Sequence, residues 1–272
     1  MAVRSAIINV MAAAARKAAR ALVRDFGEVE NLQVSQKGPA DFVSEADRRA
    51  ERILRRELEK ARPEYGFLLE EGGSVEGSDR HHRWLIDPLD GTTNYLHGIP
   101  HFAISIGLER DGEPIAGVIL DPLRDEMFWA ERGAGAYVNE RRIRVSARRQ
   151  LADAVLATGI PVGERPGKAE LLAALVPAMD RTAGVRRFGC AALDLAYVAA
   201  GRYEGFWELG LSPWDIGAGI VIVREAGGFV TDLAGRTNAL HADSIVAAND
   251  HLHTTLRRLL NDAHMTVHRR AG

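Results

Sequence analysis

Apolar residues recur at helical spacing near the start of the chain: Ile7, Val10 or Met11, Ala14, Ala18 and Leu22 form a stripe, while Arg16, Lys17, Arg20 and Arg24 fall on other faces. The spacing predicts an amphipathic helix packed on a core. Arg4 ahead of the apolar run 6–15 also imitates a secretion signal, but the cations that follow fit a helix with one solvated face. Lys37-Gly38-Pro39 marks a turn, and Ser44 with Asp47 gives an S-x-x-D start for a second helix running to about Ala61. Extended segments are predicted at 65–70, 83–87, 103–109, 115–121 and 126–131. Turn signals at Asp90-Gly91, Asp111-Gly112 and Asp121-Pro122 make them an antiparallel meander backed by the two helices. From about Leu151 the pattern changes to helices at 169–179, 191–200 and 216–226, with short strands at 205–208, 228–231 and 245–248. The fold class is therefore α+β, with an N-terminal lobe over 1–145 and a layered C-terminal lobe over 146–272 sharing one interface. The arginine-rich stretch 141–150 is the expected boundary.

Composition adds exclusions. Apolar residues make up 46% of the 272 and charged ones 26%, the usage of an ordinary folded protein. The 35 Lys+Arg and 37 Asp+Glu leave a formal charge of -2, so no bulk positive field exists to hold nucleic acid or an anionic membrane. No stretch approaches the ~20 apolar residues of a membrane span. The single cysteine, Cys190, excludes an internal disulfide and a multi-cysteine zinc site, and a cytoplasmic location is the expectation.

The chemistry concentrates in Trp84-Leu85-Ile86-Asp87-Pro88-Leu89-Asp90-Gly91-Thr92-Thr93-Asn94-Tyr95, where an apolar strand runs into two aspartates. Asp87 is expected at the strand end, with Pro88 stiffening the exit and Asp90-Gly91 turning the chain into a short helix near Thr92. Two hard carboxylates and the Leu89 carbonyl then share one side of a turn, which suits a divalent cation. The free N–H groups of Gly91, Thr92 and Thr93 beyond it suit a phosphate. A lone D-x-x-D-G is equally an ordinary strand cap and turn. Here, however, Glu70 and Glu71 close another apolar strand and Asp215 opens a helix after Trp214. Crowded carboxylates raise one another's pKa, so a cluster of them implies bound cations. Taken singly, the glutamate pair also fits a solvated turn, and Asp215 a charge that complements the helix dipole.

These residues carry a resemblance to the inositol monophosphatase family, within the lithium-sensitive, magnesium-dependent phosphatases. Asp87 to Tyr95 matches the family motif D-P-[IL]-D-G-T-x-N-[FY] at every defined position. Trp214 to Gly219 resembles its W-D-x-A-x-G motif, with Gly217 where alanine is usual. Glu70-Glu71 stands at its G-E-E position, with Leu69 in place of the glycine, and Lys37 to Asp47 is similar to K-G-x-x-D-x-V-[ST]-x-[AT]-D. The resemblance spans about residues 5–262 and implies a layered αβαβα sandwich with the metal site between the lobes.

It also implies a ligand set for Mg2+, two to three ions per site. Glu70, Asp87 and the Leu89 carbonyl would hold the activating ion; Asp87, Asp90 and Asp215 a second; Glu70 would also serve a weaker third. Thr92 and Asp47, with Glu70, would prepare the attacking water. Glu70 matches the family ligand in order, and Glu71 stays open because adjacent strand residues face opposite ways. Asp90, Gly91, Thr92, Gly189, Ala191, Glu208 and Asp215 would contact the substrate. Glu208 lies in Phe206-Trp207-Glu208-Leu209-Gly210, which resembles the segment whose glutamate accepts hydrogen bonds from inositol hydroxyls; alone, it is also an edge-strand carboxylate. A homodimer is expected from the family.

Physical chemistry points the same way. A phosphate monoester is a dianion that hydrolyses extremely slowly, so a catalyst must neutralise charge and supply hydroxide near neutral pH. No covalent phosphoenzyme is needed, and Cys190 reads as a packed small residue. The chain has no G-x-S-x-G, H-E-x-x-H or C-x-x-C, and 163–168 fails the P-loop spacing. Its nine histidines read as surface or loop residues. The expected substrate is myo-inositol 1-phosphate. Family relatives that act on fructose 1,6-bisphosphate, histidinol phosphate, nucleotide 3′-phosphates or NADP supply the alternatives. The resemblance to bacterial family members that associate with RNA polymerase and antitermination factors implies a role of another class, for which the basic run Arg141, Arg142, Arg144, Arg148 and Arg149 is the candidate surface.

Overall fold

In the computed structural model the described residues are 4–26, 34–38, 41–161 and 167–271. The N-terminal stripe forms helix α1 (Ala6–Phe26), which buries Ile8, Met11, Ala15, Ala18 and Leu22. The buried line thus runs one residue off Ile7, which lies at its edge with Val10. After a hairpin of β1 (Val34–Gly38) and β2 (Asp41–Ser44), helix α2 (Glu45–Ala61) buries Ala46, Ala50, Leu54 and Leu58 at intervals of four, with Asp47 and Glu51 beside them. The side chains of Lys37, Asp41 and Ser44 lie outside the described residues.

The next strands are β3 (Tyr65–Leu69), β4 (Gly73–Val75) and β5 (Asp79–Asp90), then helix α3 (Thr92–Leu96) and strands β6 (Ala103–Arg110), β7 (Glu113–Asp121), β8 (Glu126–Glu131), β9 (Gly135–Val138) and β10 (Arg141–Ile143). They form one sheet in the order β10-β9-β8-β7-β6-β5-β3-β4. The predicted meander holds from β5 onward and fails before it: β3 pairs parallel to β5, because β4 folds back antiparallel on the outer side of β3 and the chain re-enters the sheet from there. Strand β5 also runs past Asp87 to Asp90. A register slip opposite β6 between those two residues accommodates Pro88, which has no N–H to give the ladder. Strand β10 takes up 141–143, so the expected boundary stretch begins inside the sheet.

The remaining elements are β11 (Val155–Thr158), α4 (Lys168–Arg181), β12 (Gly184–Arg186), α5 (Ala191–Ala199), β13 (Gly205–Leu209), α6 (Pro213–Glu225), β14 (Phe229–Thr231), β15 (Ser244–Ala248) and α7 (His253–Ala271). Their strands make a second sheet, β12-β11-β13-β15-β14. Alternation along the strands sorts side chains between layers. Trp84, Ile86, Ile104, Ile106, Val118 and Leu120 face α1 and α2, whereas Leu85, Ile119 and Phe128 face α5 and α6. The second sheet packs Phe206 and Ala247 toward α5 and α6, and Leu156, Trp207 and Val246 toward α4 and α7. The layers are therefore αβαβα. Helix α7, unpredicted above, is anchored by Leu252, Leu256, Leu259 and Leu260.

Gly117 brings the large sheet against the backbone of α6, where an added Cβ would lie 2.5 Å from the Ala218 carbonyl oxygen and 2.7 Å from its Cα. Backbone cannot rotate away, so Gly117→Ala should lift α6 off the large sheet and destabilise the chain by about 1–3 kcal/mol. Thermal unfolding of the variant checks this; an unchanged melting temperature would contradict it.

Candidate active site

The end of β5 carries the site. Asp87 is buried, and one carboxylate oxygen, Oδ1, accepts from the Leu89 N–H at 2.9 Å. This small turn aims the Leu89 carbonyl at Thr92, whose Oγ1 donates to it at 2.9 Å. Gly91 follows with φ at 93°, and a Cβ there would stand 3.0 Å from the His101 carbonyl oxygen, so both conformation and space demand glycine. Asp90 reaches across to the start of α5, where its Oδ2 accepts from the Ala192 N–H at 2.6 Å.

Three other elements bring carboxylates to the same place. Asp47 comes from α2, and Glu70 and Glu71 from the end of β3; oxygens of these three lie within 4.8 Å of one another. Glu71 is tied at its N–H by Glu51 Oε2 at 2.9 Å and has Arg48 3.9 Å from its carboxylate. Glu70 instead acts electrostatically on both Asp87 and Asp90. Both glutamates belong to the cluster, and Glu70 is the one whose charge raises the Asp87 and Asp90 carboxyls. Asp215 is the third residue of α6, where its Oδ2 accepts from the Ser212 N–H at 2.8 Å in a capping box.

Electrostatics registers the crowding. Burial, then Glu70, Asp90, Asp215 and Asp47, push the Asp87 carboxyl well above the usual aspartate range. Burial raises Asp90 to about 6, against hydrogen bonds from Ala192 and Cys190 that favour its anion. Such groups are hard oxygen donors short of positive charge, which is what a divalent cation supplies.

Gly189, Cys190 and Ala191, expected with Glu208 at the substrate alcohol, lead into α5, and Glu208 lies on β13. Gly189 takes φ of 75° to turn the chain into α5. Glu208 fills a space kept open by Gly159, where a Cβ would fall 1.9 Å from its carboxyl carbon. Asp194, on α5, is buried with Oδ1 lacking a hydrogen-bond partner, and burial followed by Glu208 and Asp90 drives its carboxyl upward. Sequence reasoning missed Asp194, Glu51 and Gly159. The available signal for Asp194 was an acid in the otherwise apolar run Ala191-Ala192-Leu193-Asp194-Leu195-Ala196.

The Thr92 hydroxyl donates to the Leu89 carbonyl at 2.9 Å and stands 3.5 Å from Asp47 Oδ2. One expectation needs correction. His101 and His253 are buried rather than at the surface, and burial lowers the pKa of each. Cys190 is buried too, with its thiol pushed up mainly by burial, the reverse of an activated nucleophile.

The model of the Inositol monophosphatase family matches residues 4–265. The chain belongs to that family. A protein of Rhizobium meliloti (strain 1021) named inositol-1-monophosphatase is 57% identical over 257 residues, covering 94% of this chain and 97% of its own. A Pseudomonas aeruginosa protein named Nus factor SuhB is 45% identical, with 89% of this chain and 91% of its own covered. The crystal structure of extragenic suppressor protein suhB from Bartonella henselae superposes with a TM-score of 0.91 at 58% identity, over 94% of this chain and 98% of that one. The layered fold is thus the family's, and the chain is a phosphatase of a metal-dependent family with an acidic cluster suited to metal. Its one departure in the second motif, Gly217, lies against Leu85, whose Cδ1 would be 2.4 Å from an added Cβ. No described helix is long and apolar enough to cross a membrane.

Because folded Asp90 binds its proton more tightly than an unfolded aspartate, its contribution to the stability of metal-free protein should fall as pH rises from about 4 through about 6. Asp90→Asn lacks that loss. In chelator, the melting temperature of the variant should therefore gain on wild type across this window, and magnesium should reverse the order by binding wild type more tightly. A pH-independent difference in chelator would contradict the assignment.

Proposed function

We propose that the chain hydrolyses a phosphate monoester by direct transfer to water, with myo-inositol 1-phosphate as substrate and magnesium as cofactor. The observation that carries this reading is the convergence of Glu70, Asp90, Asp215 and Asp47 on buried Asp87, in a chain whose 57% identical relative is named inositol-1-monophosphatase. Glu70, Asp87 and the Leu89 carbonyl would hold one ion, Asp87, Asp90 and Asp215 a second, and Glu70 a weaker third. Bound magnesium supplies charge neutralisation and a water of lowered pKa.

The chain's own groups do the rest. Asp47 and Thr92, next to Glu70, would orient the water in line with the scissile P–O bond, which breaks toward the alcohol as the new P–O bond forms. The backbone at Gly91 and Thr92 would take phosphate oxygens. Glu208, Gly189 and Ala191 would line the alcohol, with Glu208 accepting from ring hydroxyls. Asp90 and Asp215 border both halves.

Phosphate release from inositol 1-phosphate should require magnesium, cease on chelation, and fall by at least about a hundredfold in Asp87→Asn. Loading-independent release would reject the reading. Preference for fructose 1,6-bisphosphate, histidinol phosphate or a nucleotide phosphate in a panel would redirect the substrate while leaving the chemistry.

The proposed homodimer has a candidate face. Helix α4 leaves Leu172 63%, Val176 61% and Met179 59% exposed, beside a hollow of about 460 Å³ lined by Ile160, Leu175 and Val185. Leu172→Glu with Val176→Glu should shift sedimentation from dimer to monomer, and an unchanged dimer would place the interface elsewhere. A transcription-related contact alongside catalysis is favoured by the relative named Nus factor SuhB. Its five candidate arginines, Arg141, Arg142, Arg144, Arg148 and Arg149, are all exposed, and Arg148 also pairs with buried Glu204 at 2.9 Å.

A further inference from the structure

The motif that supplies Asp87 and Asp90 also holds Asn94, which is buried and whose side-chain hydrogen bonds go to backbone carbonyls, not to the carboxylates. Its side-chain amide uses both protons. Nδ2 donates to the His101 carbonyl at 2.8 Å and to the Phe188 carbonyl, 94 residues away in sequence, at 2.7 Å. The first bond fixes the carbonyl that lies against Gly91, at the position where a Cβ would be 3.0 Å away. The second fixes the irregular segment 187–190, one residue before Gly189 turns into α5. Next to Asn94, the Tyr95 hydroxyl donates to the Leu22 carbonyl of α1 at 3.0 Å, so α3 is bolted on a second side.

We infer that Asn94 is a positioning residue that holds the phosphate side of the site, at Gly91 and Thr92, in register with the alcohol side, at Gly189 and Ala191. The inference rests on the substrate reading given above. A planar amide with two donors can satisfy two carbonyls from different segments at once; a hydroxyl donates only once, and a carboxylate would face both carbonyls with acceptors. Asp90 makes the other tie between these segments, through Ala192 and Cys190, but its carboxylate belongs to the acidic cluster. Asn94 provides a tie that the chemistry does not draw on.

A register between two halves matters only to a substrate that spans both. In Asn94→Ala and in the isosteric Asn94→Asp, kcat/KM for inositol 1-phosphate should fall by about tenfold or more, mostly through KM, as expected for loss of two neutral hydrogen bonds. For p-nitrophenyl phosphate, whose leaving group makes no use of polyol contacts, kcat/KM should stay within about threefold. Equal losses on both substrates, or no loss on either, would overturn the inference. Hydrogen exchange on wild type provides an arm that needs no variant to fold. Inorganic phosphate with magnesium should slow exchange at 187–192 together with 90–95, and protection confined to 90–95 would overturn it. If wild type does not hydrolyse inositol 1-phosphate, the substrate reading fails, and the exchange result alone decides for or against the register.

Discussion

Like charges buried together repel in proportion to how little water screens them, and this chain gathers carboxylates from α2, β3, β5 and α6 around Asp87. No single element would hold such a group in place against that repulsion. The layers do: β5 lies inside an eight-stranded sheet, α1 and α2 close one face of it, and α6 closes the other. The acidic centre is thus imposed on a scaffold whose own stability comes from apolar packing, and a bound cation would relieve the repulsion that the scaffold contains.

Each approach to the centre has a local reason. The register slip after Asp87 lets Pro88 sit in a strand, with Leu89 packed in the core under α1 and α2 and Asp90 reaching the start of α5. Gly117 and Gly107 bring the large sheet against the backbone of α6 near Ala218, which sets how far Asp215 stands from β5. Glu208 reaches its place because Gly159 has no side chain. Small residues here determine distances between charged ones.

Much of this was legible in the sequence because the proposed ligands of β5 are contiguous: an apolar strand followed by Asp87, Leu89, Asp90 and Gly91 declares its geometry locally. Glu70 and Asp215 were legible as acids at element ends. What was not legible depends on pairing between distant segments. The parallel contact of β3 with β5 follows from a three-residue strand, β4, too short to show a period. Asp194 and His101 are polar residues whose burial comes from neighbours remote in sequence. The two bonds of Asn94 could not be read either, since both acceptors are backbone carbonyls brought near by the fold.

If the cluster holds a divalent cation, the raised carboxyls of Asp87 and Asp90 would give up their protons as the ion binds. Calorimetric titration of metal-free protein with magnesium at pH near 6, repeated in buffers of different ionisation enthalpy, measures the protons released per ion bound. The account predicts net proton release that shrinks as pH is raised well above 6, where Asp90 is already ionised. Binding without proton release near pH 6, or binding undiminished in Asp87→Asn, would contradict it.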